Sequence, residues 1–371
     1  MASRLFPLTL AMFLAFQPYA LGQTSLSKPI YVKWQYKTVA VTNLSPAFDG
    51  EKAYLPLNDG SLVSVRLSDG ELAWKSDIGG AISASPVADM KSVYVASESL
   101  PLQKSVYPQA TGVLRALSRQ SGLTTWMRTL PSPVRGFINL NEQNLYVSST
   151  DGRLYAIKKE TGEIRWVKYN SSNFGFLHSL FGAVLYASDA AGDIIAIEGD
   201  TGRTLWRYRT RKGLRAPVAV FDNLILSGTA DGYVFAIDRL AGRQRWRVRT
   251  GAAVQSVLSA GKCILATSLD NFIYCLSPQN GAKIWKRQLA GRVAAPPLVI
   301  DDSVLLAPLA GDECVVLSLE DGKKTNSIYV GEDNNTEASP VLTAGTLLLT
   351  TREGLTALAN REAGSPGAGS P

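Results

Sequence analysis

Short apolar runs of four to six residues recur along the chain, each closed off by turn residues. Leu145 and Val147 alternate with Tyr146 and Ser148, and Leu154-Tyr155-Ala156-Ile157 follows after Asp151-Gly152. Alternation with a period of two predicts strands. Asp-Gly between two such runs predicts a hairpin, because Gly takes positive φ without steric cost. The arrangement repeats at Asn58-Asp59-Gly60, Ala191-Gly192, Asp231-Gly232 and, weakened, at Asp270-Asn271. Each unit therefore predicts four short antiparallel strands.

A phrase marks the end of each unit: a small residue, Gly six places on and Trp ten places on. It stands at Ser64/Gly70/Trp74, Ala116/Gly122/Trp126, Ala156/Gly162/Trp166, Ala196/Gly202/Trp206, Ala236/Gly242/Trp246 and Cys275/Gly281/Trp285. A seventh copy, Val316/Gly322/Asn326, lacks the Trp. Successive Trp residues lie 52, 40, 40, 40 and 39 positions apart. A fixed period of that kind, built from strands, marks a propeller or solenoid. The Gly permits the turn from third to fourth strand, the small residue leaves room for a bulky neighbour, and the Trp reaches across to the next blade. Burying one Trp removes roughly 150–250 Å² from water, at most about 4–6 kcal/mol.

An eighth unit begins at Ala338-Ser339-Pro340-Val341 and stops near Leu358 after three strands. The strand Tyr31 to Tyr36, with Trp34, has no unit before it and supplies the missing fourth strand. The expected fold is all-β: an eight-bladed propeller of four-stranded antiparallel blades over 30–358, closed by the N-terminal strand on the C-terminal blade. Closure removes exposed sheet edges. Trp34, Trp74, Trp126, Trp166, Trp206, Trp246 and Trp285 are the expected docking residues. About twelve extra residues, Glu98 to Thr111, are expected as a loop on one rim. The tail 359–371, rich in Gly, Ser and Pro, is expected to be disordered.

The first 22 residues read as an export signal: Arg4, the apolar run Leu5 to Phe16, then Ala20-Leu21-Gly22 as a cleavage pattern. That run is too short for a permanent span, and no Cys follows it to carry a lipid. The mature protein is expected to be soluble, not lipidated, periplasmic or secreted, and monomeric, with no transmembrane segment. The net charge of +7 is mild for 371 residues, and export disfavours nucleic acid as a partner. Three Cys leave at least one free thiol. With Asp270-Asn271 as a two-residue turn, Cys275 opposes Ala266, and Cys263 and Cys275 point to opposite faces. Buried free thiols and no disulfide are expected.

The phrase resembles the tryptophan-docking motif of the quinoprotein-type propellers, the pyrroloquinoline-quinone (PQQ) repeat proteins, over about residues 31–358. One branch holds PQQ-dependent dehydrogenases. The other is non-enzymatic and typified by BamB, a scaffold subunit of the outer-membrane β-barrel assembly machine. The compact, eight-unit chain is similar to the second. The resemblance implies a loop with Leu and Arg before Ala-Pro that contacts the barrel subunit. Arg211-Lys212-Gly213-Leu214-Arg215-Ala216-Pro217 is similar, so Leu214, Arg215 and Arg211 are the implied partner-binding residues. The loop is shorter than the family's, and the family's acidic pair has no counterpart near Val254-Gln255-Ser256.

Catalytic chemistry finds little support. The dehydrogenase branch implies adjacent Cys and Ca²⁺ ligands around PQQ, and no two Cys here are adjacent. Asp59, Asp69, Asp151 and Asp231 occupy turn positions, where they bond their own backbone. His178 is the only His, against a metal pair or a triad. The oxygen-rich run 332–337 lacks calcium-loop spacing and reads as a solvated inter-blade loop. Basic residues crowd units four and five: Arg207, Arg209 and Arg211 on one face, and Arg245, Arg247 and Arg249 likewise. The expected function is a non-catalytic scaffold binding an envelope protein partner, without metal or cofactor. PQQ with Ca²⁺ in a dehydrogenase, or a carbohydrate or cell-wall binder, are the alternatives.

Overall fold

In the computed structural model, which describes residues 24–39, 41–99, 110–332 and 334–360, thirty-three strands form eight antiparallel sheets. The sheets follow one another along the chain as blades 1 to 8: 47–77, 81–130, 134–168, 174–209, 219–249, 254–288, 298–329, and 341–360 with 30–37. The expected eight-bladed propeller is the observed fold. Each middle strand is covered by both neighbouring blades, so runs such as Asn144–Ser149, Cys263–Ser268 and Thr346–Thr351 are buried on both faces. The fourth strands form the outer wall and alternate exposed with buried positions, as in Gln244–Arg249.

The repeated phrase is the joint between blades. The Trp126 indole N–H donates to the Lys159 carbonyl of blade 3 at 2.9 Å. Its ring covers Gly162, where an added Cβ would lie 2.5 Å from the ring at φ +70°. That Gly is required twice, for the turn and for the ring above it. Trp34, Trp74, Trp166, Trp206, Trp246 and Trp285 bond the carbonyls of Leu67, Arg119, Gly199, Arg239, Pro278 and Leu319 in the same way. The small residue has a role inside its own blade. Ser64 and Ala156 each stand between a Tyr and a Trp on flanking strands, so Tyr54 and Trp74 meet across it at 5.7 Å, and Tyr146 and Trp166 at 6.1 Å.

Closure occurs as expected. Ile30–Lys37 pairs with Gly354–Asn360, with Trp34 opposite Ala357. The last strand thus extends to Asn360, two residues beyond the expected limit; 361–371 and the leader 1–22 lie outside the described residues. The seam between blades 7 and 8, which has Asn326 in place of Trp, is filled by the N-terminal segment. Leu26 is 1% exposed and packs with Cys314, Ile328 and Leu347. The Asn326 amide donates to the carbonyls of Leu26 and Lys28 at 2.9 and 3.0 Å. Asn360 ties the same segment through Ser25 and Pro29.

Two blades depart from the pattern. In blade 2 the inner strand is split into Ala81–Ile82 and Val87–Ala88, which both pair with the second strand. The insertion lengthens the hairpin to Ser99↔Thr111, and its remainder, 100–109, lies outside the described residues. Before blade 8, residues 334–336 are buried rather than solvated. Asn335 donates to the Pro308 carbonyl at 2.7 Å and accepts the Cys314 thiol, and Thr336 donates to the Thr350 carbonyl.

The cysteine expectation is corrected. The structure joins Cys263 to Cys275, with Cα atoms 5.8 Å apart, and leaves Cys314 as a buried free thiol. The cause is the turn. Ser268 pairs with Phe272, so the loop holds three residues, with Asn271 at φ +63°. This moves the register by one: Cys275 opposes Leu265, and Cys263 becomes its diagonal neighbour on the same face. The Asp151-Gly152 hairpin likewise has a three-residue loop, pairing Ser148 with Leu154. Alkylating the unfolded, unreduced protein is therefore expected to label one thiol, and three after reduction, read by mass. Labelling of three thiols before reduction would contradict the pairing.

Candidate partner-binding rim

Hairpins between second and third strands and the loops between blades share one rim. Backbone bonds such as Phe174 N–H to the Gly152 carbonyl and Thr250 N–H to the Gly232 carbonyl tie each loop to the hairpin beside it. The loop from blade 4 to blade 5, 210–218, is the one singled out by sequence. Its backbone is held at both ends. The Thr210 hydroxyl bonds the Gly192 and Lys212 carbonyls. Leu214 bridges to Thr229, Ala230 N–H donates to the Gly213 carbonyl at 2.8 Å, and Arg215 and Ala216 N–H both reach the Gly228 carbonyl.

This anchoring sorts the three predicted residues. Arg211 is exposed, with its backbone left-handed at φ +57°. Arg215 is exposed on the opposite side of Gly213. Neither makes an ion pair among the described residues, whereas Lys212 pairs with Asp231 at 3.4 Å. Leu214 is half-buried and packs against the blade 4–5 core that includes Val218, Ile225 and Phe235. The loop thus presents two unpaired guanidinium groups on a stiff frame.

A neighbouring acidic pair was not read from the sequence. Asp189 and Asp193 flank the blade 4 hairpin, and both are buried. Asp189 accepts from the Asn170 amide at 2.6 Å and the Asp193 backbone N–H at 2.8 Å. Asp193 lies 3.8 Å from Arg207 and 4.0 Å from Arg209. Burial, reinforced by the Asp189 carboxylate, pushes its carboxyl above the ordinary range. The signal was present in the spacing: position 193 follows the turn and faces the same side as Arg207 and Arg209 on the adjoining strand.

Nearer the axis, Asn139 and His178 meet between the inner strands of blades 3 and 4. The Asn139 amide nitrogen lies 2.7 Å from His178 Nδ1 and donates to the His178 carbonyl at 3.2 Å. His178 is 2% exposed and its Nε2 has no partner among the described residues. Burial lowers its pKa to about 4. A chain of serines links blades 8, 1 and 2: Ser339 N–H donates to Ser45 Oγ, and Ser45 N–H to Ser85 Oγ, each at 3.1 Å. Neither arrangement joins a nucleophile to a base.

The family model described as outer membrane protein assembly factor BamB matches residues 31–168, 169–269 and 251–365. The chain belongs to this family. Among solved structures, BamB from Moraxella catarrhalis is similar with a TM-score of 0.72 at 14% identity, covering 91% of this chain and all of that one. The quinohemoprotein alcohol dehydrogenase from Comamonas testosteroni is similar at 0.70 and 12%, covering 92% of this chain and 78% of that one. The computationally designed Ika8 protein is similar at 0.73 and 12%, covering 88% and 98%. At these identities the three share the fold. Among curated proteins, none matches the chain in sequence.

A shared fold with a quinoprotein raises PQQ with Ca²⁺, for which the described residues supply no cluster of carboxylates. Among the described residues no three His, Cys, Asp or Glu side chains come together. The carboxylates that sequence could have offered are used locally. Asp59 accepts Ser61 N–H at 3.0 Å, Asp69 accepts Glu71 N–H at 3.0 Å, and Asp231 accepts the Thr229 hydroxyl at 2.7 Å. The Ser61 hydroxyl, with Lys75, holds the Asp59 carboxyl down at about 2. The disulfide joins residues twelve apart on two strands of blade 6, unlike the adjacent pair the dehydrogenase branch implies.

Proposed function

We propose that this protein is a non-catalytic scaffold of the cell envelope that holds a protein partner on the 210–217 rim, in the manner its family name suggests for outer-membrane protein assembly. The observation that carries the reading is the pair Arg211 and Arg215: exposed, without ion-pair partners among the described residues, and carried by a loop pinned to two hairpins. A loop whose backbone is already held costs little backbone ordering on binding, and Arg is enriched among the residues that dominate interfaces. Export is supported by the apolar leader and by the Cys263–Cys275 bond, which persists in an oxidising compartment. Ring closure pairs the terminal strands with each other, which supports a monomer.

The test is binding of the purified mature chain to the periplasmic part of the assembly machine's barrel subunit. Arg211→Glu with Arg215→Glu is expected to weaken binding by about 30-fold or more, the usual size for loss of a dominant interface residue. Unchanged binding would remove the rim from the interface. A second reading, dehydrogenase, rests on the fold shared with the Comamonas enzyme. Dye reduction with alcohols or sugars after addition of PQQ and Ca²⁺ would establish it in place of the scaffold.

A further inference from the structure

We infer that the outer wall of blades 4 and 5 is a docking surface for an anionic lipid membrane. The inference stands apart from the rim loop and holds whether or not that loop binds a protein. Between Arg203 and Arg249, leaving aside Arg211, Lys212 and Arg215 of the rim loop, the chain has eight Arg against three Asp, while the whole chain carries a net +7. The positive charge of the molecule is therefore concentrated in this one stretch, and the remainder is close to neutral.

The fold turns that stretch into a patch. Thr204–Arg209 and Gln244–Arg249 are fourth strands of adjacent blades; Trp206 and Trp246 lie against Gly242 and Gly281 of the next blade, and Arg207, Arg209, Arg245, Arg247 and Arg249 alternate with them and are exposed. Alternate residues on a strand stand roughly 6.6 Å apart, so each row is a regular ladder of guanidinium groups. Tyr208 of one strand donates to Gln244 of the other at 2.7 Å, which places the two strands side by side. Part of the charge is answered within the wall. Arg245 pairs with Asp238 at 2.6 Å, Arg203 pairs with Glu198, and Asp193 lies behind Arg207 and Arg209. Arg247 and Arg249 lie over the Tyr233 ring and have no carboxylate partner among the described residues.

The composition of the wall favours a lipid surface over a protein. Stable protein interfaces centre on apolar or aromatic anchors in shaped pockets. Between the two Arg rows no large apolar side chain is prominent; Leu205, 40% exposed, lies at one end, and Leu240 sits on the turn below. Long cationic side chains on the outer edges of two adjacent sheets suit a deformable array of phosphates. Each basic group near such a surface is worth about fivefold in affinity.

Co-sedimentation with phosphatidylglycerol and phosphatidylcholine vesicles tests this, using the mature full chain. Binding to phosphatidylglycerol alone is expected, weakening steeply with added salt. The variant R209Q/R247Q/R249Q is expected to lose about 100-fold, at fivefold per charge, while R209K/R247K/R249K keeps it. The control K91Q/K158Q/K323Q, with the same change of net charge on other blades, is expected to bind as the unaltered protein does. Matching thermal melts establish that each variant folds. The inference is overturned if phosphatidylglycerol binds no better than phosphatidylcholine, or if control and wall variants lose equally. It is also overturned if the wall retains only soluble polyglutamate, which would mark an acidic protein as the partner.

Discussion

Trp34→Ala is expected to lower stability by about 3–5 kcal/mol, the usual cost of truncating a buried aromatic to Ala. Trp34 is 8% exposed, donates to the Leu67 carbonyl at 2.9 Å, and covers Gly70. It differs from the other six docking residues in what lies behind it. Its strand is the one that pairs the first part of the chain with the last. Losing it loosens blade 8 from blade 1 and exposes the edge of Gly354–Asn360, a template for pairing with other chains. Trp126→Ala removes a similar ring from the middle of the array, where chain continuity still holds blades 2 and 3 together. Urea midpoints should fall for both, but only Trp34→Ala should render residues 24–37 sensitive to protease under native conditions. Trp34→Phe keeps most of the packing and loses the N–H, for about 1–3 kcal/mol. Equal protease sensitivity in the two Ala variants would mean that closure does not depend on Trp34.

The parts of this fold that repeat were legible because each copy confirms the others. Six phrases with one spacing place the Trp, its Gly and the small residue without reference to coordinates, and an unpaired Trp34 points to the incomplete last unit. What the sequence obscured depends on single residues of register or on departures from the repeat. Reading Asp270-Asn271 as a two-residue loop moved that hairpin by one position, and the disulfide was lost with it, since one residue exchanges the faces of a strand. Asn326 looked like a worn copy of the phrase. It is instead the residue that holds the carbonyls of Leu26 and Lys28, so the departure marked the place of the N-terminal segment. Residues 332–337 looked solvated because they are polar, yet 334–336 are buried with their hydrogen bonds made by the turns around them. At the rim, the sequence did not show the degree to which Leu214, between the exposed Arg211 and Arg215, is committed to the seam.

Acid is expected to destabilise the protein through His178, in a window above that of the carboxylates. Nδ1 faces the Asn139 amide nitrogen, a donor, and that same nitrogen donates to the His178 carbonyl. Turning the amide over would set its oxygen against that carbonyl, so Nδ1 stays an acceptor and the proton resides on Nε2. The neutral ring fits this site; an imidazolium does not. Burial accordingly lowers the pKa from 6.5 to about 4. As pH falls below 6.5 the unfolded chain takes up a proton that the folded chain refuses, and stability declines until the folded pKa is reached. One pKa unit is about 1.4 kcal/mol, so the loss amounts to about 3 kcal/mol across the window. The contribution is fully present above pH 6.5, the opposite of a His stabilised by a carboxylate. Because this is the only His in the chain, the comparison is clean: His178→Gln, whose amide oxygen can replace Nδ1 as acceptor, should flatten the fall in urea midpoint between pH 6.5 and 4.5. Parallel falls in the two proteins would assign the acid response to other groups. Below that window carboxylates held down by partners, such as Asp59 at about 2, begin to lose their own contribution as they protonate, and both proteins should weaken together.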